Sequence, residues 1–399
     1  MSVRVLHADQ VLTGSGAALR SGSVVVDGAH IAWVGPTDHL PSDWRHPEIE
    51  QIPLPDATLL PGLVDAHVHL AFEATAPAET PPTGQAAAPS AEDRAIAAAR
   101  QLVRAGVTTV RDLGAPGHLD LTSPAASGLP WPRVLAAGIP LTVPGGHCAA
   151  FGGAVTTTAD IERVIAANAA RGARWIKVMV TGGFTTSAGA SPYTAQFTDA
   201  QLAAIVATAA EHGLPVAAHA HATVGIAAAV RAGVDSLEHC TWMSAEGFDL
   251  DHGLIAEIAD RRIPVCPTIN HLARAASGRL PWPVRRHQLQ TMLDAGVQLI
   301  PGTDSGIPHT PHGCYPSSLA AYTDLGLTPG ETIDMATRRN AYALGIGHRT
   351  GSLAAGMVAD LLAVPGDPTR DLDLLDTPVL VAAAGELHHP DSTAEEHHS

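Results

Sequence analysis

Lys177 is the single lysine of a 399-residue chain whose other 22 lysine-or-arginine positions are all arginine. It interrupts the apolar run Trp175-Ile176-Lys177-Val178-Met179-Val180. An amine with an ordinary pKa of about 10.4 can lose its proton when desolvated and then react or coordinate, whereas a guanidinium stays charged. His67 and His69 close a second run, Pro61-Gly62-Leu63-Val64-Asp65-Ala66-His67-Val68-His69. Strand residues two apart face the same side, so these imidazoles can converge. His219 ends Val216-Ala217-Ala218-His219, His239 ends Asp235-Ser236-Leu237-Glu238-His239, and Asp304 ends Ile300-Pro301-Gly302-Thr303-Asp304. Each alone has an ordinary structural use, as a strand-end hydrogen bonder, a snorkelling lysine or an N-cap. Together, at the ends of separate apolar runs, they predict a metal-dependent hydrolase. Imidazole and carboxylate donors suit zinc, with manganese, iron or nickel as other occupants.

The elements that must position these groups alternate in type. Apolar runs at 60–66, 107–112, 133–138, 175–180, 215–219, 234–238, 263–267 and 297–303 are followed by polar loops and alanine-rich helical stretches, notably 91–105, 160–172, 198–212, 223–232 and 331–344. Eight such units predict an α/β fold, a (β/α)8 TIM barrel over 59–348, whose active site sits at the strand C-terminal ends. Short β-branched runs at 1–58 and 349–388, with a hairpin signal at Asp27-Gly28, predict a small discontinuous β-sandwich built from both chain ends. Segments 74–90 and 276–287 read as long loops, either a lid, and the tail 389–399 as disordered.

A net charge of −16 disfavours nucleic acid and anionic membrane as partners and leaves a small-molecule or peptide substrate. Cys148, Cys240, Cys266 and Cys314 are far apart, so neither a disulfide framework nor a thiolate zinc site is indicated. The first residues contain no apolar stretch of signal-peptide type, which points to the cytoplasm. Subunit number is open, a homo-oligomer included.

The succession H-x-H, K, H, H, D, one element per strand, resembles the amidohydrolase superfamily along nearly the whole chain. Pro61 to His69, Ile176-Lys177-Val178-Met179-Val180-Thr181-Gly182-Gly183, Gly302-Thr303-Asp304-Ser305-Gly306 and Pro311-His312-Gly313 are similar to its imidazolonepropionase-related and prolidase-like members. Imidazolonepropionases lack the lysine, so Lys177 aligns the chain with the dinuclear, peptidase-like branch. The resemblance implies two divalent metal ions, zinc foremost, bridged by a CO2-derived carbamate on Lys177. His67, His69 and Asp304 would hold the more buried ion, and His219 with His239 the more exposed one. A metal-bridging hydroxide would attack an amide, with Asp304 as proton shuttle. The implied substrate is a dipeptide, an N-acyl amino acid or a modified natural-product peptide. A cyclic amide, urea, ester or phosphotriester is the alternative on the same site, and a non-catalytic scaffold the remote one.

On the substrate side the resemblance and the strand pattern point to His147, His221 and His312, with His309 behind them. Peptidase-like relatives carry tyrosine where His221 stands. Arg285 and Arg286 read as a solvated charged turn, or otherwise as partners of a substrate carboxylate. Glu238 should point away from the metal side of its strand, into packing or hydrogen bonding behind a ligand.

Overall fold

The computed structural model describes all residues except 1–2, 17, 73, 75–88, 122–130, 185–190 and 391–399. The expected lid at 74–90 and the tail at 389–399 therefore lie almost wholly outside the described residues. The fold is mixed α/β. The chain begins with β1 (Val3–Val11), β2 (Leu19–Asp27), β3 (His30–Pro36) and β4 (Glu50–Pro61). The Asp27-Gly28 step turns β2 into β3, with Asp27 opposite His30 and Gly28 at φ +55°, a conformation that suits glycine.

After Gly62 the pattern changes to strands separated by helices. In order these are β5 (Leu63–Val68), α1 (Ala91–Arg104), β6 (Val107–Asp112), β7 (Arg133–Ala136), α2 (Thr158–Ala170), β8 (Ile176–Met179), α3 (Asp199–Glu211), β9 (Val216–Ala222), α4 (Thr223–Ala232), β10 (Ser236–Ser244), β11 (Gly247–Phe248), α5 (His252–Asp260), β12 (Val265–Cys266), α6 (Trp282–Asp294), α7 (Tyr315–Thr323), α8 (Pro329–Asp334) and α9 (Asn340–Ala343). Among the described residues capping boxes start four helices, at Ser90/Asp93, Thr157/Asp160, Thr198/Gln201 and Thr328/Glu331. The stretch expected as one helix over 331–344 is α8 and α9 joined by a wider turn at Met335–Arg339. Segment 276–287, expected as loop, becomes helix at Trp282. Its prolines misled because Pro281 stands at the N-cap and Pro283 in the first turn, where no backbone donor is needed.

The far end adds β13 (Leu361–Pro365), β14 (Leu380–Ala383) and β15 (Glu386–His388). Both chain ends share one hydrogen-bonded path of seven strands, ordered β15-β14-β13-β4-β1-β2-β3. Leu6, Val24, Leu59, Leu361 and Ala363 form a core on one of its faces, and Val5, Val25 and Leu40 a smaller one elsewhere.

The remaining strands pair in parallel, β5-β6-β7 and β8-β9-β10, with β12 on β10. Their interior side chains join helix faces in the largest core, which includes Val68, Val110, Val178, Ala218 and Val265. Leu141 beyond β7 bridges Val178 of β8. The run 297–303 is not a continuous strand: it touches a neighbour at Val265↔Leu299, and Ser305 just past it bridges Val68. Pro301 supplies no donor and Asp304 turns to φ +61°, so the ladder is interrupted, although Ala66, His69 and Asp304 still bond across it. Among the described residues no helix is long and apolar enough to cross a membrane.

Candidate metal centre

At the end of β5, His67 and His69 leave the strand on one side, and their Nε2 atoms lie 3.4 and 3.2 Å from the same Asp304 Oδ1. The neighbouring segment can approach because Gly302 has no side chain: a Cβ there would meet Cys266 Sγ at 2.6 Å and the His67 backbone nitrogen at 2.8 Å. Buried Asp65 fastens the two segments by accepting Thr303 Oγ1 at 2.6 Å and the Thr303 amide at 3.1 Å. Burial pushes the Asp65 carboxyl up to about 7, although the Thr303 hydroxyl pulls it down. Burial also pushes Asp304 up, but His67 and His69 outweigh it and hold this carboxyl below the usual range.

The route to His239 is a bulge. Along β9, Ala220 to Ala222 advances two residues while β10 advances four, from His239 to Met243. His239, Cys240 and Trp242 take φ of +67°, +50° and +54°, a concentration of left-handed backbone that only a heavily supported segment tolerates. The support is Arg285 of α6. Its guanidinium is buried and donates to the carbonyls of His239, Cys240 and Pro267, while Gln288 one turn on donates to the Thr241 carbonyl at 2.8 Å. Arg285 is thus neither a solvated turn nor a carboxylate partner, a correction to the sequence reading; Arg286 beside it is exposed.

Behind His67 lies a second support. Glu238 accepts from His67 Nδ1 at 2.9 Å and from Arg111 at 2.7 Å, and Arg111 also reaches the Ala66 carbonyl and Ser236. Burial would raise the Glu238 carboxyl, but Arg111 and His67 overcome it and leave it at about 2. An ionised Glu238 fixes the proton of His67 on Nδ1 and turns Nε2 toward Asp304. Arg111 escaped notice in the sequence, where it stands as one polar residue within Val107-Thr108-Thr109-Val110-Arg111-Asp112.

Lys177 on β8 is 1% exposed, and its Nζ finds no hydrogen-bond partner among the described residues. Burial lowers its pKa, with Glu238 and Asp304 pulling the other way. His219 donates from Nε2 to the Gly182 carbonyl at 3.1 Å, which leaves its Nδ1 lone pair free to act. Its ring centroid is 4.4 Å from that of His239 and 4.7 Å from that of His147. Burial depresses His67 and His147 to about 4 and His219 and His239 well below the ordinary value, so these rings are neutral donors at neutral pH.

A cavity of about 930 Å³ opens over His67, His69, Lys177, His219, His239 and Asp304, with His147 and His221 on its wall. Phe72, Phe151 and Phe184 make it largely apolar, Phe72 stacked on Phe151 at 5.5 Å, and Arg94 supplies a cation. His312 is not on that wall: it is buried, with Nε2 3.1 Å from the His69 carbonyl, and braces the strand end. His309 is exposed. Among the described residues three sets of side chains bring donor atoms close enough for an ion: His67/His239/Asp304 and His219/His221/His239 at the cavity, and His67/Glu238/Cys266 behind it.

Comparison with known proteins decides the family: the amidohydrolase family profile matches residues 58–389. The chain belongs to the amidohydrolase family. It is similar to ochratoxinase of Aspergillus niger, 27% identical over 415 residues that span 95% of this chain and 84% of that protein. It is also similar to an imidazolonepropionase of Pseudomonas fluorescens, 27% identical over 403 residues, 92% and 93% of the two chains. Among solved structures, a Xaa-Pro dipeptidase with methionine bound in its active site superposes with a TM-score of 0.83 at 27% identity, over 97% of this chain and 100% of that one. As an amidohydrolase the chain is a hydrolase of a metal-dependent family, and its histidine and aspartate clusters fit that chemistry.

Proposed function

We propose that the chain hydrolyses an amide bond in a dipeptide, an N-acyl amino acid or a modified peptide, with two divalent ions, zinc foremost. His67, His69 and Asp304 would hold one ion, His219 and His239 the other, and carbamylated Lys177 would join them. The observation that carries this reading is the buried Lys177 amine, lowered in pKa and without a hydrogen-bond partner among the described residues, facing neutral imidazoles. Such a group is costly unless something binds it. A neutral amine combines with CO2 to give a carbamate and one proton, which converts the orphan into an anionic donor that guanidinium cannot become.

Ions bound here would supply Lewis acidity to polarise the scissile carbonyl and lower the pKa of water toward 7. The chain's own groups do the rest. Asp304, kept ionised beside two imidazoles and 14% exposed toward the cavity, accepts the proton of the attacking water and returns it to the leaving nitrogen. His147 contacts the substrate near the scissile group, the phenylalanines receive an apolar side chain or acyl group, and Arg94 receives a free carboxylate. The parallel path from β5 to β12, with bridges at Leu141, Leu299 and Ser305, supports a closed (β/α)8 barrel over 59–348 as the frame, with the end segments 1–58 and 349–388 as its companion domain. The structural likeness to a dipeptidase supports the choice of amide.

The test is metal content of the purified protein alongside hydrolysis of a panel of dipeptides, N-acyl amino acids, hydantoins, ureas and esters. Close to two ions per chain with amide turnover is expected, and faster turnover where a free carboxylate is present. A protein that takes up less than one ion and cleaves none of the panel would be a scaffold.

A further inference from the structure

We propose that His221 is a metal ligand, so that three imidazoles, His219, His221 and His239, hold the second ion; this rests on the metal-dependent reading above. The sequence pattern suggests a substrate contact for His221, but its surroundings are those of a ligand. His221, His219 and His239 are all buried, and each can place a ring nitrogen within 4.8 Å of the other two. The ring of His221 stacks on that of His239 with centroids 4.6 Å apart and lies 4.6 Å from that of His219. Tetrahedral coordination at about 2.0–2.1 Å puts ligand nitrogens roughly 3.4 Å apart, so small side-chain rotations complete the set.

The protonation pattern agrees. Thr241 spends its single hydroxyl proton on the His221 carbonyl at 3.1 Å, so its oxygen must accept at 3.1 Å from His221 Nδ1. The ring proton is thereby fixed on Nδ1, and Nε2 keeps its lone pair. The same device holds His239: Thr268 donates to the Pro267 carbonyl at 2.8 Å and accepts from His239 Nδ1 at 2.9 Å. Two neighbouring rings on β9 and β10 are thus locked in the same tautomer by the same kind of residue. Lone pairs brought together in this way repel one another, and a cation relieves that repulsion. Three imidazoles with the Lys177 carbamate would give the ion four donors, and zinc can expand to a fifth position for water or substrate.

The experiment is zinc titration of the metal-stripped full-length protein against a competing chromogenic chelator, with X-ray absorption of the zinc-loaded protein to count imidazoles. In His221→Ala the more weakly held ion should lose affinity by at least about tenfold, the tighter ion should be unchanged, and the average imidazole count should fall. Thr241→Val, which keeps the shape but frees the ring proton, should show a smaller loss at the same ion and carries the comparison should His221→Ala not fold. Equal affinities and an unchanged imidazole count in both variants would overturn the assignment of His221 alone. A wild-type chain that binds no zinc would overturn the metal reading itself.

Discussion

At the scale of single residues, the candidate centre is organised by what stands behind each donor. His67 owes its orientation to Glu238, and Glu238 owes its charge to Arg111, all three with almost no access to solvent. Breaking such a buried pair by truncation typically costs about 3–5 kcal/mol because a charge is left alone. Glu238→Gln is the gentler probe: it keeps the volume and one acceptor while removing the anion that sets the His67 proton. Metal affinity should fall by about 10–100-fold, as it does for groups that orient metal-bound histidines. Unchanged affinity, measured by chelator competition, would mean that His67 is not a ligand or that Arg111 alone sets its position. Lys177→Arg tests the other distinctive residue. It keeps a long basic side chain but cannot form a carbamate, and we expect loss of one ion per chain together with a fall in kcat of at least about 10²-fold. Retention of two ions and of turnover in that variant would refute the carbamate.

At the scale of elements, the bulge of β10 decides where His239 points, and α6 decides whether the bulge survives. The buried Arg285 fork serves the carbonyls of His239 and Cys240 in the bulge and of Pro267 just past β12. Arg285→Met should therefore cost roughly 2–5 kcal/mol of stability, read as a lower denaturant midpoint, because buried acceptors lose their donor. Turnover should drop through kcat more than through KM, since the substrate wall at Phe72 and Phe151 is untouched. A variant as stable and active as the parent would show that the bulge holds itself. This element also marks where sequence reading stops. His67, His69, His219, His239 and Asp304 were visible because strand periodicity and apolar context mark them, and Lys177 because nothing else in the composition resembles it; that His219 and His239 end their strands was wrong, since β9 continues to Ala222 and β10, through its bulge, to Ser244. Arg285 was not visible, since its partners are backbone carbonyls 18 to 46 positions away, which leave no trace in residue type. Segment 297–303 was legible as apolar but not as a broken strand, because its breaks come from Pro301 and from a positive φ at Asp304 that tertiary contacts impose.

At the scale of the whole molecule, titration of buried groups outside the centre sets how stability follows pH. Asp120 accepts the Gly138 amide at 2.6 Å, close to the end of β7. Burial, reinforced by the charge of Asp112, pushes its carboxyl up to about 8. In the unfolded chain the same group titrates near about 3.9, so the folded state binds the extra proton across the interval between the two values. Its contribution to stability is fully present below about pH 4, declines as pH rises, and is gone once the folded carboxyl ionises above about 8. Asp120→Asn keeps the acceptor for Gly138 and removes the titration. The variant should match the parent near pH 4–5 and melt several degrees higher at pH 9, with the gap opening steadily between. Parallel melting profiles from pH 5 to 9 would show that this carboxyl is ionised in the folded protein. A gap that closes instead of opening as pH rises would reverse the sign of the linkage and put a cation, rather than burial, in control of Asp120.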